Sequence, residues 1–202
     1  MSNINLLKEQ EALRSIRDGE LDKAESIYRN LINNGEANSE IFGNFGALCL
    51  TKSNWIDAIF ALKNAIKINP YYIEAYSNLG LAFLSIGNMS SSISSCYKAL
   101  SYDSTFPGAI NNLGNTFSAI GDLDKAYSFY QKANILKPND PDILTNIGLI
   151  FFRKGNFIKA IDSYNHALSI SRSLPNTLYN LALLFQERSD FIKALNLYKE
   201  AY

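Results

Sequence analysis

The chain repeats itself at a fixed interval. The segments SNLGLAFLSIGN (Ser77 to Asn88), NNLGNTFSAIGD (Asn111 to Asp122) and TNIGLIFFRKGN (Thr145 to Asn156) share one pattern, and each begins 34 residues after the last. The same step in both directions gives repeats starting at Asn5, Ser39, Ile73, Pro107, Pro141 and Pro175, with no insertion or deletion; the sixth stops at Tyr202, six residues short of completion. A period of this size marks a stack of small units that bury their apolar faces on one another rather than in one central core. The 202 residues, a length otherwise suited to one ordinary domain, are thus about 5.8 copies of one unit.

Within each repeat the same chemistry recurs at fixed places, counted from its first residue. The eighth place holds Ala12, Gly46, Gly80, Gly114, Gly148 and Ala182, and the twentieth holds Ala24, Ala58, Ser92, Ala126, Ala160 and Ala194. Side chains this small let a neighbouring helix approach closely. Larger residues fill the seventh place from the second repeat on (Phe45, Leu79, Leu113, Ile147, Leu181), and the eleventh adds Cys49, Phe83, Phe117, Phe151 and Phe185. Places 4, 7, 8 and 11 share one helical face; places 20, 24 and 27 form a second, as in Ala126, Tyr130, Ala133 and in Ala160, Tyr164, Ala167. Each repeat therefore reads as two amphipathic helices. Gly19, Gly87, Gly121 and Gly155 share place 15, where a helix ends in a left-handed residue. Asn88, Asp122 and Asn156 follow as caps for the next helix, and all five prolines fall at repeat junctions.

Small residues at places 8, 20 and 27, aromatics at 11 and 24, and a junction proline resemble the pattern of the tetratricopeptide repeat, TPR, over residues 5 to 202. The resemblance implies an all-α fold: a single solenoid domain over residues 1–202, a right-handed α-α superhelix of about six helix-turn-helix units whose first helices line a concave groove. The first repeat departs from the pattern, with Lys8, Glu11 and Ser15 at places expected to be large and apolar, which suits a solubilising cap. Met89 to Ser95 in the third repeat is a poor helix former, rich in serine.

Composition removes several function classes. Nineteen basic residues offset nineteen acidic ones, which argues against a nucleic-acid partner. An apolar share of 47% excludes disorder. Apolar runs such as Ile147 to Phe152 are far short of a membrane span, and the N-terminus has no stretch of signal-peptide length, so no membrane insertion and a cytoplasmic location are expected. Cys49 and Cys96, 47 residues apart, form neither a metal-ligand spacing nor a disulfide framework and fall at places buried by pattern. His166 is the lone histidine, at a place outside the core. No phosphate loop, carboxylate pair or nucleophile set is visible, so neither catalysis nor a cofactor or metal is expected.

The sixth place carries the candidate site. It reads Asn44, Asn78, Asn112, Asn146 and Asn180, with Gln10 in the first repeat. By the family geometry this place lies towards the groove, and the row resembles the asparagine ladder in the repeat superhelix of O-linked N-acetylglucosamine transferases. An amide offers both donor and acceptor and can clasp the backbone of an extended peptide regardless of its sequence. First helices about 8–10 Å apart, against about 3.3 Å per extended residue, would place one Asn at roughly every third peptide residue. Asn111 and Asn115 add two amides in the fourth repeat, marking it as the centre of the groove. The alternative is that these amides only pack helices or face solvent, since the family favours Asn at this place. Members that hold carboxylate-terminated chaperone tails use Lys and Arg on this face. Here places 2 and 5 contain none, and Glu40, Glu74 and Asp142 instead suit basic residues at one groove edge. Arg17 and Arg153 look isolated and solvated.

The reading is a non-catalytic protein-interaction module that binds a protein or peptide segment in its groove. Two alternatives stand beside it: the recognition arm of a larger enzyme, such as a glycosyltransferase with its catalytic domain beyond residue 202, and a scaffold that self-associates through the uncapped C-terminal repeat.

Overall fold

The computed structural model describes residues 3–201, with side chains from residue 5 onward. Among these residues there are twelve α-helices and no strand, two helices to each repeat. They are α1 (Asn3–Arg17) and α2 (Leu21–Asn33); α3 (Ser39–Thr51) and α4 (Trp55–Ile68); α5 (Ile73–Ser85) and α6 (Met89–Tyr102); α7 (Pro107–Ile120) and α8 (Leu123–Leu136); α9 (Pro141–Arg153) and α10 (Phe157–Ile170); α11 (Pro175–Glu187) and α12 (Phe191–Ala201). The fold is an all-α helical repeat, as the 34-residue period predicts. The chain divides into two compact bodies, residues 1–112 and 113–202.

The helix boundaries follow from local chemistry. Place 15 demands a left-handed backbone in every repeat: Gly19, Gly87, Gly121 and Gly155 have φ of 79°, 76°, 93° and 73°. In the second and sixth repeats a serine occupies that place and adopts the same conformation, Ser53 at φ 57° and Ser189 at φ 62°. The next residue caps the second helix: the side chains of Asn54, Asn88, Asp122 and Asn156 accept from the backbone N–H of Asp57, Ser91, Lys125 and Lys159. Pro141 and Pro175 open their helices in the first turn, where a missing N–H costs nothing.

Within a repeat, place 8 of the first helix receives the side chain at place 24 of the second. A Cβ at Gly46 would lie 2.6 Å from Leu62, and one at Gly114 or Gly148 would lie 2.5 or 2.6 Å from the ring of Tyr130 or Tyr164. Only glycine permits this approach beneath a large residue. In the N-terminal body the core runs through Ala12, Tyr28, Phe45, Leu48, Leu62 and Leu79; in the C-terminal body Tyr164, Leu181 and Leu184 pack with Phe151 and Phe185.

Two repeats refine the expectations. In α1 Ser15 is buried and Glu11 is exposed beside Lys23, yet Leu7 is 64% exposed, so the leading helix is only partly polar. The serine-rich Met89–Tyr102 segment is fully helical. Ser92 is completely buried at the small place 20, so packing overrides poor propensity, and the buried Ser95 hydroxyl is satisfied by donating to the Ser91 carbonyl.

Candidate functional site

Each sixth-place asparagine is the sixth residue of its first helix, and the amides are half-buried to buried. In the N-terminal body Asn44 donates from Nδ2 to Oε1 of Glu9 at 3.3 Å. Asn112, only 8% exposed, donates from Nδ2 to the backbone oxygen of Ser77 at 3.0 Å and to its Oγ at 3.3 Å. Each bond ties one first helix to the first helix of the preceding repeat. Asn78 and Asn111 are half-buried, and the Asn78 side chain makes no hydrogen bond among the described residues.

In the C-terminal body Asn115 is the hub. Its Oδ1 accepts from the Tyr130 hydroxyl at 2.7 Å and from Nδ2 of Asn146 at 3.3 Å. Asn180 is half-buried, and its side chain has no hydrogen-bond partner among the described residues. The row therefore contains two kinds of amide. Asn44, Asn112 and Asn146 are engaged between helices, whereas Asn78 and Asn180 have no side-chain hydrogen bond among the described residues and retain their bonding capacity. Arg153, expected to be solvated, instead donates from Nη1 to the backbone oxygen and Oγ of Ser118 at 2.7 and 2.9 Å, a cation closing the C-terminal turn of α7.

The N-terminal body also gathers groups that no single motif announces. Tyr72, at the entry to α5, lays its ring on Gly43, where a Cβ would lie 2.7 Å from both Cε1 and Oη. Glu40 sits three residues before Gly43 on α3, and Glu74 opens α5. Glu9, 9% exposed, has its carboxyl held above the usual range by burial and by Glu40, with the Asn44 amide opposing. Burial, then Glu74, Glu40 and Glu9, raise the Tyr72 phenol. Burial, then Glu9 and Tyr72, push the fully buried Tyr28 phenol up to about 12. Of this cluster the sequence signals Glu40 and Glu74, the acidic residues at place 2; Glu9 and Tyr72 join them only in the folded chain.

Elsewhere the chemistry is inert. Both thiols are buried, and burial pushes each up to about 12, which removes the thiolate needed of a nucleophile. His166 is exposed. Among the described residues no three His, Cys, Asp or Glu side chains are placed to hold a metal ion, and no helix is long and apolar enough to cross a membrane.

Family models of the tetratricopeptide repeat match residues 46–87, 73–106, 109–142 and 140–202. A comparison with curated proteins finds no match. Among solved structures the chain is similar to MamA at 26% identity, covering 77% of this chain and 91% of that one with a TM-score of 0.61. It shares its fold with a tetratricopeptide repeat protein from Parabacteroides merdae (17% identity, 98% and 77% coverage, TM-score 0.86). The same holds for a chain of the APC/C hetero-tetramer Cut9–Hcn1 (18% identity, 94% and 38% coverage, TM-score 0.83). Repeat period, helix pairs, the glycine-on-aromatic packing and these matches agree: the chain belongs to the tetratricopeptide repeat family.

Proposed function

We propose that this chain is a protein-interaction module whose first helices clasp an extended partner segment through the sixth-place amides. Proteins of this family generally mediate protein–protein interactions, and the fold is typically a non-catalytic scaffold. The observation that carries the finer reading is the pair of unengaged, half-buried amides at Asn78 and Asn180, one in each body, at the place where the other asparagines are spent on packing. A half-buried amide without a partner is poorly placed as a structural element and well placed to exchange a donor and an acceptor with a peptide backbone.

The test is a pool of random 12-residue peptides passed over the immobilised chain, followed by affinity measurements on a retained peptide. Asn78→Ala and Asn180→Ala each remove one clasp of about 0.5–1.5 kcal/mol, equivalent to roughly 2–12-fold in affinity. Helical circular dichroism should stay constant, since neither amide bonds within the fold. Affinity unchanged in both variants would sink the amide clasp, and a pool from which nothing is retained would sink the module reading itself.

A further inference from the structure

Six of the eleven carboxylates of the N-terminal body are ion-paired, and Asp18 and Asp103 lie outside the site. Glu11 and Glu20 meet Lys23, Asp22 and Glu25 meet Lys52, Glu25 and Asp57 meet Arg29, and Glu36 meets Lys8. Glu9, Glu40 and Glu74 form no ion pair among the described residues, although they act electrostatically on the same phenol, that of Tyr72. Among the described residues Glu9 and Glu40 accept from neutral donors, the Asn44 amide and the Asn38 amide. Of these carboxylates Glu40 acts directly on Glu9, and burial together with that like charge raises the Glu9 carboxyl in the free protein. Places 2, 5, 6 and 9 of these three repeats supply no Lys or Arg to offset them.

A second observation points the same way. The Tyr28 hydroxyl is fully buried within electrostatic reach of Glu9 and Tyr72, and has no hydrogen-bond partner among the described residues. A hydroxyl oxygen accepts as well as donates, so its hydrogen-bonding capacity is unspent at the inner side of this cluster, within reach of the Glu9 charge. The Tyr72 ring, pinned on Gly43, adds an aromatic face of the kind that takes the stem and head of a basic side chain.

We propose that the first-helix face of the N-terminal body selects a lysine or arginine side chain of the bound segment, with Glu9, Glu40 and Glu74 as the counter-charge and Tyr72 as the wall. This rests on the groove-binding reading above and names the chemistry of the partner: an extended segment with a basic residue. The exposed Glu40 and Glu74 draw the cation in, and the enclosed Glu9 receives it. Occupation offsets the Glu40 charge that acts on the enclosed Glu9, so a basic side chain gains more here than at an isolated surface glutamate.

The peptide pool tests this by composition. Sequencing the peptides retained by the full chain at 50 mM salt should show Lys and Arg enriched about threefold or more over the input, and Asp and Glu depleted. The enrichment should shrink at 500 mM salt, where exposed charges are screened. It should vanish in the Glu40→Gln/Glu74→Gln variant, whose two changes are isosteric and lie at exposed positions. Peptides retained without basic enrichment, or with enrichment undiminished in that variant, would overturn the selection while leaving the amide clasp standing. No retained peptide at all would remove both.

Discussion

Removing one oxygen atom from each of two equivalent tyrosines should move stability in opposite directions. Tyr130 and Tyr164 both occupy place 24, are 2% and 0% exposed, and lie against Gly114 and Gly148 with nearly identical close approach. They differ in their hydroxyls. That of Tyr130 donates to Asn115 at 2.7 Å, whereas that of Tyr164 is buried with no partner among the described residues. Tyr130→Phe gives up a hydrogen bond with a net contribution of about 0.5–1.5 kcal/mol. Tyr164→Phe instead removes a polar atom buried without compensation and recovers a desolvation penalty of about 1–3 kcal/mol. Packing is the same in both, because the ring stays. The two variants should therefore separate by roughly 2 kcal/mol or more. At about 2–4 °C per kcal/mol for a chain of this size, their melting midpoints should differ by roughly 4–8 °C, with wild type between them. Thermal and urea unfolding followed at 222 nm read this directly, with an unchanged urea slope confirming that the same structure unfolds. If Tyr164→Phe lowers the midpoint as much as Tyr130→Phe, the partner assignment is wrong and place 24 acts through packing alone.

Two further predictions follow from the backbone and the core. Ser53→Gly and Ser189→Gly should each raise stability by roughly 0.5–1 kcal/mol, because a left-handed serine costs about 1–2 kcal/mol and the glycine returns part of that as chain entropy; a loss of stability in urea would show that those serines earn their place through another contact. Cys49 and Cys96, with thiols pushed up to about 12 by burial, should not react with a disulfide reagent at pH 8 in the native chain and should both react once it is unfolded in guanidinium. Fast native labelling of either would contradict its place in the core.

The serine at φ 57° shows how far local sequence reaches. Place 15 was assigned a left-handed residue from four glycines, and the strict 34-residue register extends that demand to Ser53 and Ser189, which carry no such signal themselves. Cap positions and the small-residue places were legible in the same way, since short-range sterics and the 3.6-residue period set them. The serine-rich Met89–Tyr102 segment is helical as the repeat pattern predicts despite its poor propensity, and the burial of Ser92 that supports it is a tertiary term.

The candidate site divides along the same line. Its row of asparagines is visible in the sequence, but their partners are not: Asn112 meets Ser77 across 35 positions, and Asn146 meets Asn115 across 31. Among the described residues Tyr130 finds a hydroxyl partner while Tyr28 and Tyr164 do not, because Asn115 stands at place 9 where the other two repeats have Leu13 and Leu149. The convergence of Glu9, Glu40 and Glu74 on Tyr72 likewise joins three repeats. By itself the sequence determined the repeat, its helix pairs, its terminators and its core places, because each depends on residues a few positions apart. Only the tertiary structure decided which amides are engaged, which remain open and where charge is left unpaired, because these depend on which side chains meet across a helix interface.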